Sequence, residues 1–234
     1  MGADRCDREG VEDLTGGVTT DIFTADILDR DRFWNEGLAL VNKEFLFAAA
    51  VSAPGSEDRE GVIKGHAYSV LRAVEAKGKR FVLVRNPWGS TEWTGPWSDG
   101  SKEWTPEWLK LLDHTFGDDG QFWMLYRDFL RKFTVIDRTR VFDSSWSVTE
   151  QRWLDYRVPW SAEFATTRFR LTVTQKTPVV IVLSQLDDRY FRGLEGKYRF
   201  VLRFRVHKEN DEDYIARSSG NSAYPSLLDS CRSC

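Results

Sequence analysis

Two short runs rich in valine, leucine and aromatic residues, 64–75 and 80–85, are separated by Ala76-Lys77-Gly78-Lys79. Their alternation fits pleated strands, and a glycine among charged residues fits a tight reversal. An antiparallel hairpin is therefore expected here. A hairpin fixes register, and register decides which distant residues stand side by side. His66 lies near the start of the first strand and Asn86 directly after the second. The turn should bring the two level.

Around this hairpin the pattern is mixed. Asp29 is placed to cap a helix over 30–41, with Phe33, Trp34, Leu38 and Val41 on one face. Residues 45–53 read as a buried strand, and 54–61 as a charged, mobile loop containing Pro54 and Gly55. Thr105 followed by Pro106 predicts a short helix to about residue 113. Gly117-Asp118-Asp119-Gly120 predicts an acidic turn before a strand over 121–126, and 127–133 reads as a short helical segment. Beyond it, strand-like runs at 133–142, 168–174, 179–183 and 198–206 alternate with turns at 176–178 and 193–196. Short strands with turn signals predict a β-sandwich. Residues 208–234 are polar and are expected to be disordered.

Composition excludes several classes. The net charge is −3, which gives no basic face for phosphates, so nucleic acid is not an expected partner. No run approaches the roughly 20 apolar residues of a membrane helix. The first nine residues are charged and carry no secretory leader pattern. The three cysteines, Cys6, Cys231 and Cys234, form no disulfide framework, which fits a reducing, cytoplasmic setting. Tryptophan is abundant: 10 in all, five of them Trp88, Trp93, Trp97, Trp104 and Trp108. Aromatic core and cleft packing is the expected use. Carbohydrate or base stacking would need a polar or basic pattern that is absent.

A histidine beside an asparagine suits thiol chemistry. A cysteine nucleophile needs an imidazole to hold its proton and a polar group to fix the imidazole tautomer. Asn86 can accept from one ring nitrogen while the other faces the sulfur. Trp88, two residues on, can cover the pair and exclude water. The same residues also admit a plain structural use, His66 as a satisfied strand histidine and Asn86 as a turn residue before Pro87.

The surrounding motifs decide between these uses. The runs Lys64-Gly65-His66-Ala67-Tyr68-Ser69-Val70 and Arg85-Asn86-Pro87-Trp88-Gly89 come first. Glu92-Trp93-Thr94-Gly95-Pro96-Trp97-Ser98-Asp99 and Asp119-Gly120-Gln121-Phe122-Trp123-Met124 follow. In this order they resemble the second half of the calpain protease core, over about residues 10–133. Glu12-Asp13-Leu14-Thr15-Gly16-Gly17 is similar to the passage between that core's two subdomains. The run Val180-Ile181-Val182-Leu183-Ser184-Gln185 is similar to the calpain-type β-sandwich that follows.

The resemblance implies an α+β, mostly β fold: the antiparallel sheet or barrel half of a papain-like core, then an antiparallel β-sandwich. It divides the chain into a linker at 1–20, the histidine–asparagine subdomain at 21–132, the sandwich at 133–207 and the tail at 208–234. It makes His66 the general base, Asn86 its orienter and Trp88 a mobile shield at the cleft. The family's nucleophile lies in a Gly-Asp-Cys-Trp run of an upstream subdomain, and that run does not occur here. Cys6, in Asp4-Arg5-Cys6-Asp7-Arg8, has arginine neighbours that would lower its pKa and an adjacent Asp7 that opposes them. It is not expected to act as nucleophile.

The resemblance also places a calcium ion on Glu92, Asp99 and Asp119. Calcium takes about six to eight oxygens from carboxylates and carbonyls. Gln121 stands where an acidic residue is common, which removes one charge. Acidic loops are also ordinary solvated surface. That reading is preferred for Asp187-Asp188 and for residues 209–213, where the resemblance would imply calcium or phospholipid contact. Cys231-Arg232-Ser233-Cys234 has the spacing of half a zinc site and no second half. Two functions follow as expectations. One is the histidine-bearing part of a calcium-dependent cysteine endopeptidase, inactive without a Cys-bearing subdomain. The other is a non-catalytic module that binds calcium or protein partners. Expected partners are protein substrates or that Cys-bearing subdomain, with weak membrane-surface contact in second place.

Overall fold

The computed structural model describes residues 10–51, 60–152, 168–185, 193–194, 203–218 and 226–229. The chain divides into two units, Met1–Trp146 and Ser147–Cys234. The first is built on six strands: β1 (Val18–Phe23), β2 (Phe45–Ala50), β3 (Ala67–Ala76), β4 (Lys79–Arg85), β5 (Gln121–Leu125) and β6 (Val135–Arg140). They form one antiparallel sheet in the order β1-β6-β2-β3-β4-β5. Among the described residues, 10–15 are helical, and three further short helices accompany the sheet: α1 (Arg30–Glu36), α2 (Pro106–Leu112) and α3 (Tyr126–Lys132). The fold class is α+β, mostly β.

The β3–β4 hairpin turns on Lys77 and Gly78, with φ of 47° and 72°, between the paired residues Ala76 and Lys79. Two central residues with positive φ match the right-handed twist of the strands they join. The register set by this turn runs to Arg72↔Leu83 and then shifts, resuming at Val70↔Val84. This bulge has a consequence for the site. Side chains of paired residues share a face, and alternate residues keep it. Continued without a shift, the turn's register would put residues 66 and 86 on opposite faces. The extra residue lets Leu71 and Arg72 both turn to one side: Leu71 packs against the cluster that contains Phe81, Leu83 and Trp123, and the Arg72 guanidinium sits over Trp123. Beyond the bulge, Tyr68 and Val70 share the other face with Val82 and Val84, which is also the parity of His66 and Asn86.

Both faces of the central strands are covered. One carries the main core, with Trp34, Leu38, Phe45, Phe47, Tyr68, Trp93, Phe122, Phe129 and Phe133. The other carries a smaller aromatic core of Phe81, Trp97, Leu112 and Trp123, flanked by Trp104 and Trp108. The rings of Trp97 and Trp108 meet Phe81 at 4.7 and 5.4 Å. Four of the five clustered tryptophans are thus core residues, as their density suggested.

The predicted caps are present. The Asp29 carboxylate accepts from Arg32 N–H at 2.8 Å, and the Thr105 hydroxyl accepts from Trp108 N–H at 3.4 Å with Pro106 opening α2. The first helix is shorter than the expected 30–41. It ends at Gly37 (φ −126°, ψ −88°), and Leu38–Leu40 continues as a 3₁₀ turn.

Two expected boundaries cut across this sheet. β1 begins inside the segment read as linker, and β6 lies inside the segment read as sandwich. The two strands pair with each other from Val18↔Arg140 to Phe23↔Val135. β6 also pairs with β2, from Phe45↔Arg140 to Ala50↔Val135, so it belongs to the first unit. Its alternation reads the same whichever sheet it joins.

In the second unit, β7 (Val180–Leu183) pairs antiparallel with β10 (Ser226–Asp229), and β8 (Arg205–His207) with β9 (Tyr214–Arg217). Residues 168–174 are exposed and form no strand. The expected strand over 198–206 is described from residue 203 onward, and β8 covers its end. β9 and β10 correct the expectation of a disordered tail. The acidic run Asp211–Asp213 beside Tyr214-Ile215-Ala216 hid a short β-former, which gains its stability by pairing with β8. The loop at 52–59, Asp187-Asp188, Cys6, Cys231 and Cys234 lie outside the described residues.

Candidate active site

His66 and Asn86 flank the open ends of β3 and β4. His66 Nε2 and Asn86 Oδ1 are 2.7 Å apart. The imidazole lies against Trp88, with ring centroids 4.1 Å apart, and meets the edge of Tyr68 at 5.0 Å. Trp88 is 63% exposed, while Asn86 is fully buried. The exposed indole thus covers a half-buried imidazole held from below by a buried amide.

The Asn86 side chain uses every hydrogen-bonding capacity it has. Its Oδ1 also accepts from Trp88 N–H at 3.1 Å, and its Nδ2 donates to the carbonyls of Ser90 at 2.7 Å and Thr91 at 2.9 Å. Its backbone N–H donates to Gly120 O, and its backbone carbonyl accepts from Gly89 N–H. A flipped carboxamide would set NH₂ against an N–H and an oxygen against two carbonyls. The oxygen therefore faces the imidazole, and an oxygen only accepts. Nε2 must carry the proton, which leaves the Nδ1 lone pair as the base. Gly120, with φ of 79°, allows the close approach, since a Cβ there would lie 2.7 Å from Asn86 O.

The approach to His66 is fixed from behind. The Tyr68 hydroxyl accepts from Ile63 N–H at 2.9 Å, and burial pushes the Tyr68 phenol pKa up. Thr94 N–H donates to Glu60 O at 2.8 Å, so the segment leading into His66 is bound to the loop after Trp88.

Glu92, Asp99 and Asp119 lie on neighbouring loops. Glu92 Oε1 accepts from Gly120 N–H at 2.8 Å. Asp99 accepts from His114 Nε2 at 2.8 Å and from Gly117 N–H at 2.9 Å. Asp119 accepts from Gln121 through its backbone and its side-chain amide. Glu92 and Asp99 line an open pocket with Thr91, Phe116, Gly117 and Asp118. Burial pushes the Glu92 carboxyl pKa up, with the carboxylates of Asp99 and Asp119 adding to it and the N–H groups of Gly120 and Asp119 opposing. The donor chemistry suits a hard cation. Among the described residues, however, no three carboxylate, histidine or cysteine side chains are gathered closely enough to hold a metal.

A family model described as calpain family cysteine protease matches residues 4–140. The chain belongs to the calpain family. It is 43% identical over 140 residues to mouse calpain-9, and 39% identical over 140 residues to the bovine calpain-1 catalytic subunit. Each of these matches covers 55% of this chain. It is 36% identical over 183 residues, 71% of its length, to the Arabidopsis calpain-type cysteine protease DEK1. The chain spans 20%, 19% and 8% of those three proteins, respectively.

Within this calpain chain, two residues at the site escaped the sequence reading. His114 is buried against Trp104, its ring stacked at 4.5 Å, and holds Asp99. Nothing in the Asp113-His114-Thr115 context signals that pairing. Thr91 has φ of 64°, unusual for a β-branched residue. It stands between Ser90 and Glu92 with no glycine beside it, so its conformation has no local sequence sign.

Proposed function

We propose that this chain contributes the histidine–asparagine half of a calpain-type cysteine endopeptidase site. The observation that carries the reading is the 2.7 Å contact between His66 Nε2 and the buried Asn86 Oδ1. With Nε2 protonated, Nδ1 takes the proton of a cysteine thiol supplied by a separate Cys-bearing subdomain. The thiolate attacks the scissile carbonyl carbon of an extended protein segment. The imidazolium then gives its proton to the departing amine, which leaves a thioester. His66 next deprotonates a water that attacks the thioester, and the returned proton restores the thiol. Trp88 covers the imidazole and keeps the His66–Asn86 bond dry. A cytoplasmic setting belongs to the same proposal, supported by the sparse cysteines.

Calcium is the second part of the reading. Glu92, Asp99 and Asp119 would hold it, and the ion would supply positive charge to a pocket that has an excess of negative charge. What supports this is the raised Glu92 carboxyl beside two further carboxylates. Since these groups now accept from backbone and His114 N–H donors, the loops must rearrange to bind the ion.

The test is a fusion in which a calpain Cys-bearing subdomain precedes Gly10. Casein cleavage is expected from the fusion with calcium, and none from the present chain alone. His66→Ala should abolish it. Cleavage that survives His66→Ala would remove His66 from the mechanism. Cleavage by the unfused chain that disappears in Cys6→Ala would replace the separate thiol with Cys6.

A further inference from the structure

We propose that Ser90 and Thr91 are positioning residues: their successive backbone carbonyls clamp the Asn86 carboxamide and so fix the proton on His66 Nε2. The strained backbone of Thr91 assembles this clamp. The proposal rests on the reading of His66 as base, because only a base needs its tautomer chosen.

Both N–H bonds of Asn86 Nδ2 end on this dipeptide, on Ser90 O at 2.7 Å and Thr91 O at 2.9 Å. In an extended chain, successive carbonyls point to opposite sides. For two neighbours to meet one NH₂ group, the residue between their peptide planes must leave the extended region. That residue is Thr91, and its φ of 64° lies in the left-handed region. A β-branched residue is disfavoured there and persists only where its surroundings over-determine it. Thr91 is exposed, so side-chain packing does not hold it in place. The bond on its carbonyl does, together with the next residues: Glu92 accepts from Gly120 N–H, and Trp93 is buried in the main core.

The clamp decides the chemistry at one remove. A carboxamide held only by Oδ1 could turn over and offer NH₂ to the imidazole. Nε2 would then become the acceptor and Nδ1 would carry the proton, the wrong tautomer for receiving one from a thiol. Two carbonyls in front of Nδ2 prevent that turn. The Trp88 N–H on Oδ1 guards the other end. The strain at Thr91 is therefore located beside the point where the chemistry must choose between two forms of one ring.

The experiment is NMR on the present chain, labelled with ¹⁵N. The two Asn86 side-chain protons are expected to exchange with water about 30-fold or more slowly than those of exposed Asn210, since opening must break two carbonyl hydrogen bonds. The His66 nitrogens should report Nε2 protonated and Nδ1 bare at pH values where the ring is neutral. Thr91→Gly keeps the carbonyl and removes the penalty, so it should raise the melting temperature and leave the tautomer unchanged. Thr91→Pro forces φ to about −65° and should release the amide, giving fast Asn86 exchange and a mixture of His66 tautomers. Asn86 protons that exchange as fast as those of Asn210 would overturn the clamp, whether or not the proline variant folds. So would a folded Thr91→Pro chain with an unchanged His66 spectrum, or a Thr91→Gly chain with an altered tautomer. None of these readings uses activity, so the failure of His66→Ala to abolish cleavage in the fusion would refute the base without touching the clamp.

Discussion

Asn86, fully buried, holds His66 through a 2.7 Å bond from Nε2 to Oδ1 while five other groups hold Asn86. The side chain therefore matters to stability as well as to orientation. Asn86→Ala would leave the Trp88 N–H and the carbonyls of Ser90 and Thr91 without partners. An unsatisfied buried group costs about 1–3 kcal/mol, and water entering the cavity recovers part of it. The expected loss is about 2–4 kcal/mol, read as a lower urea midpoint with an unchanged slope. A loss under 0.5 kcal/mol, at the level of about the usual surface substitution, would mean that the network is not formed in solution.

Trp88 has the opposite balance. It touches the imidazole at 4.1 Å and leaves most of its surface in water. Removing it should hardly affect folding, by less than about 1 kcal/mol. It should open His66 to reagents. Trp88→Ala is expected to raise the rate of His66 modification by diethyl pyrocarbonate several-fold, followed by mass spectrometry of the His66 peptide. An unchanged rate would show that the indole is not a cover.

The hairpin, both helix caps and the His66–Asn86–Trp88 group were legible because each is written in adjacent residues. Lys77-Gly78 marks the turn, Asp29 and Thr105 mark caps, and Asn86-Pro87-Trp88-Gly89 marks the reversal after β4. What was not legible depends on pairing at a distance. β1 and β6 lie more than 100 residues apart in the chain and meet along a register that neither segment signals locally. The bulge between Val70 and Arg72 is a single extra residue in an alternating run. Yet it decides whether residues 66 and 86 share a face. The Asp99–His114 pair is hidden for the same reason, since burial beside Trp104 creates it. Sequence order locates the chemical groups, and the sheet's long-range pairing decides their geometry.

Calcium should act on stability if the proposed ligands bind it. An ion at about ten times its dissociation constant adds about 1.4 kcal/mol to the folded state. That corresponds to a rise of about 5 °C for a unit of this size. The rise should appear with millimolar calcium, disappear on chelation and be lost in Asp99→Asn combined with Asp119→Asn. A shift that persists in the double variant would place the ion elsewhere, and no shift in the unaltered chain would remove calcium from Glu92, Asp99 and Asp119.

Tyr126 sets a separate limit at high pH. Its hydroxyl donates to Arg30 O at 3.0 Å, and its ring packs on Trp34 with centroids 5.0 Å apart. Burial pushes its pKa up from 10.0 to about 12, against the opposing charges of Arg80 and Arg30. An unfolded tyrosine ionises near pH ~10. Between about pH 10 and 12 the unfolded chain has released this proton and the folded chain has kept it. The folded state binds more protons there, so its stability falls as pH rises. The contribution is complete below about pH 10 and is lost through about pH 12, on the order of 2 kcal/mol from this one group. Tyr126→Phe should cost about 1 kcal/mol at neutral pH by losing the bond to Arg30. It should also flatten the decline above pH ~10, so that the gap between the two chains closes and then reverses in alkali. Parallel denaturation curves for both chains across pH 8 to 12, about the range in which tyrosine titrates, would show instead that the Tyr126 hydroxyl ionises as freely in the fold as in the unfolded chain.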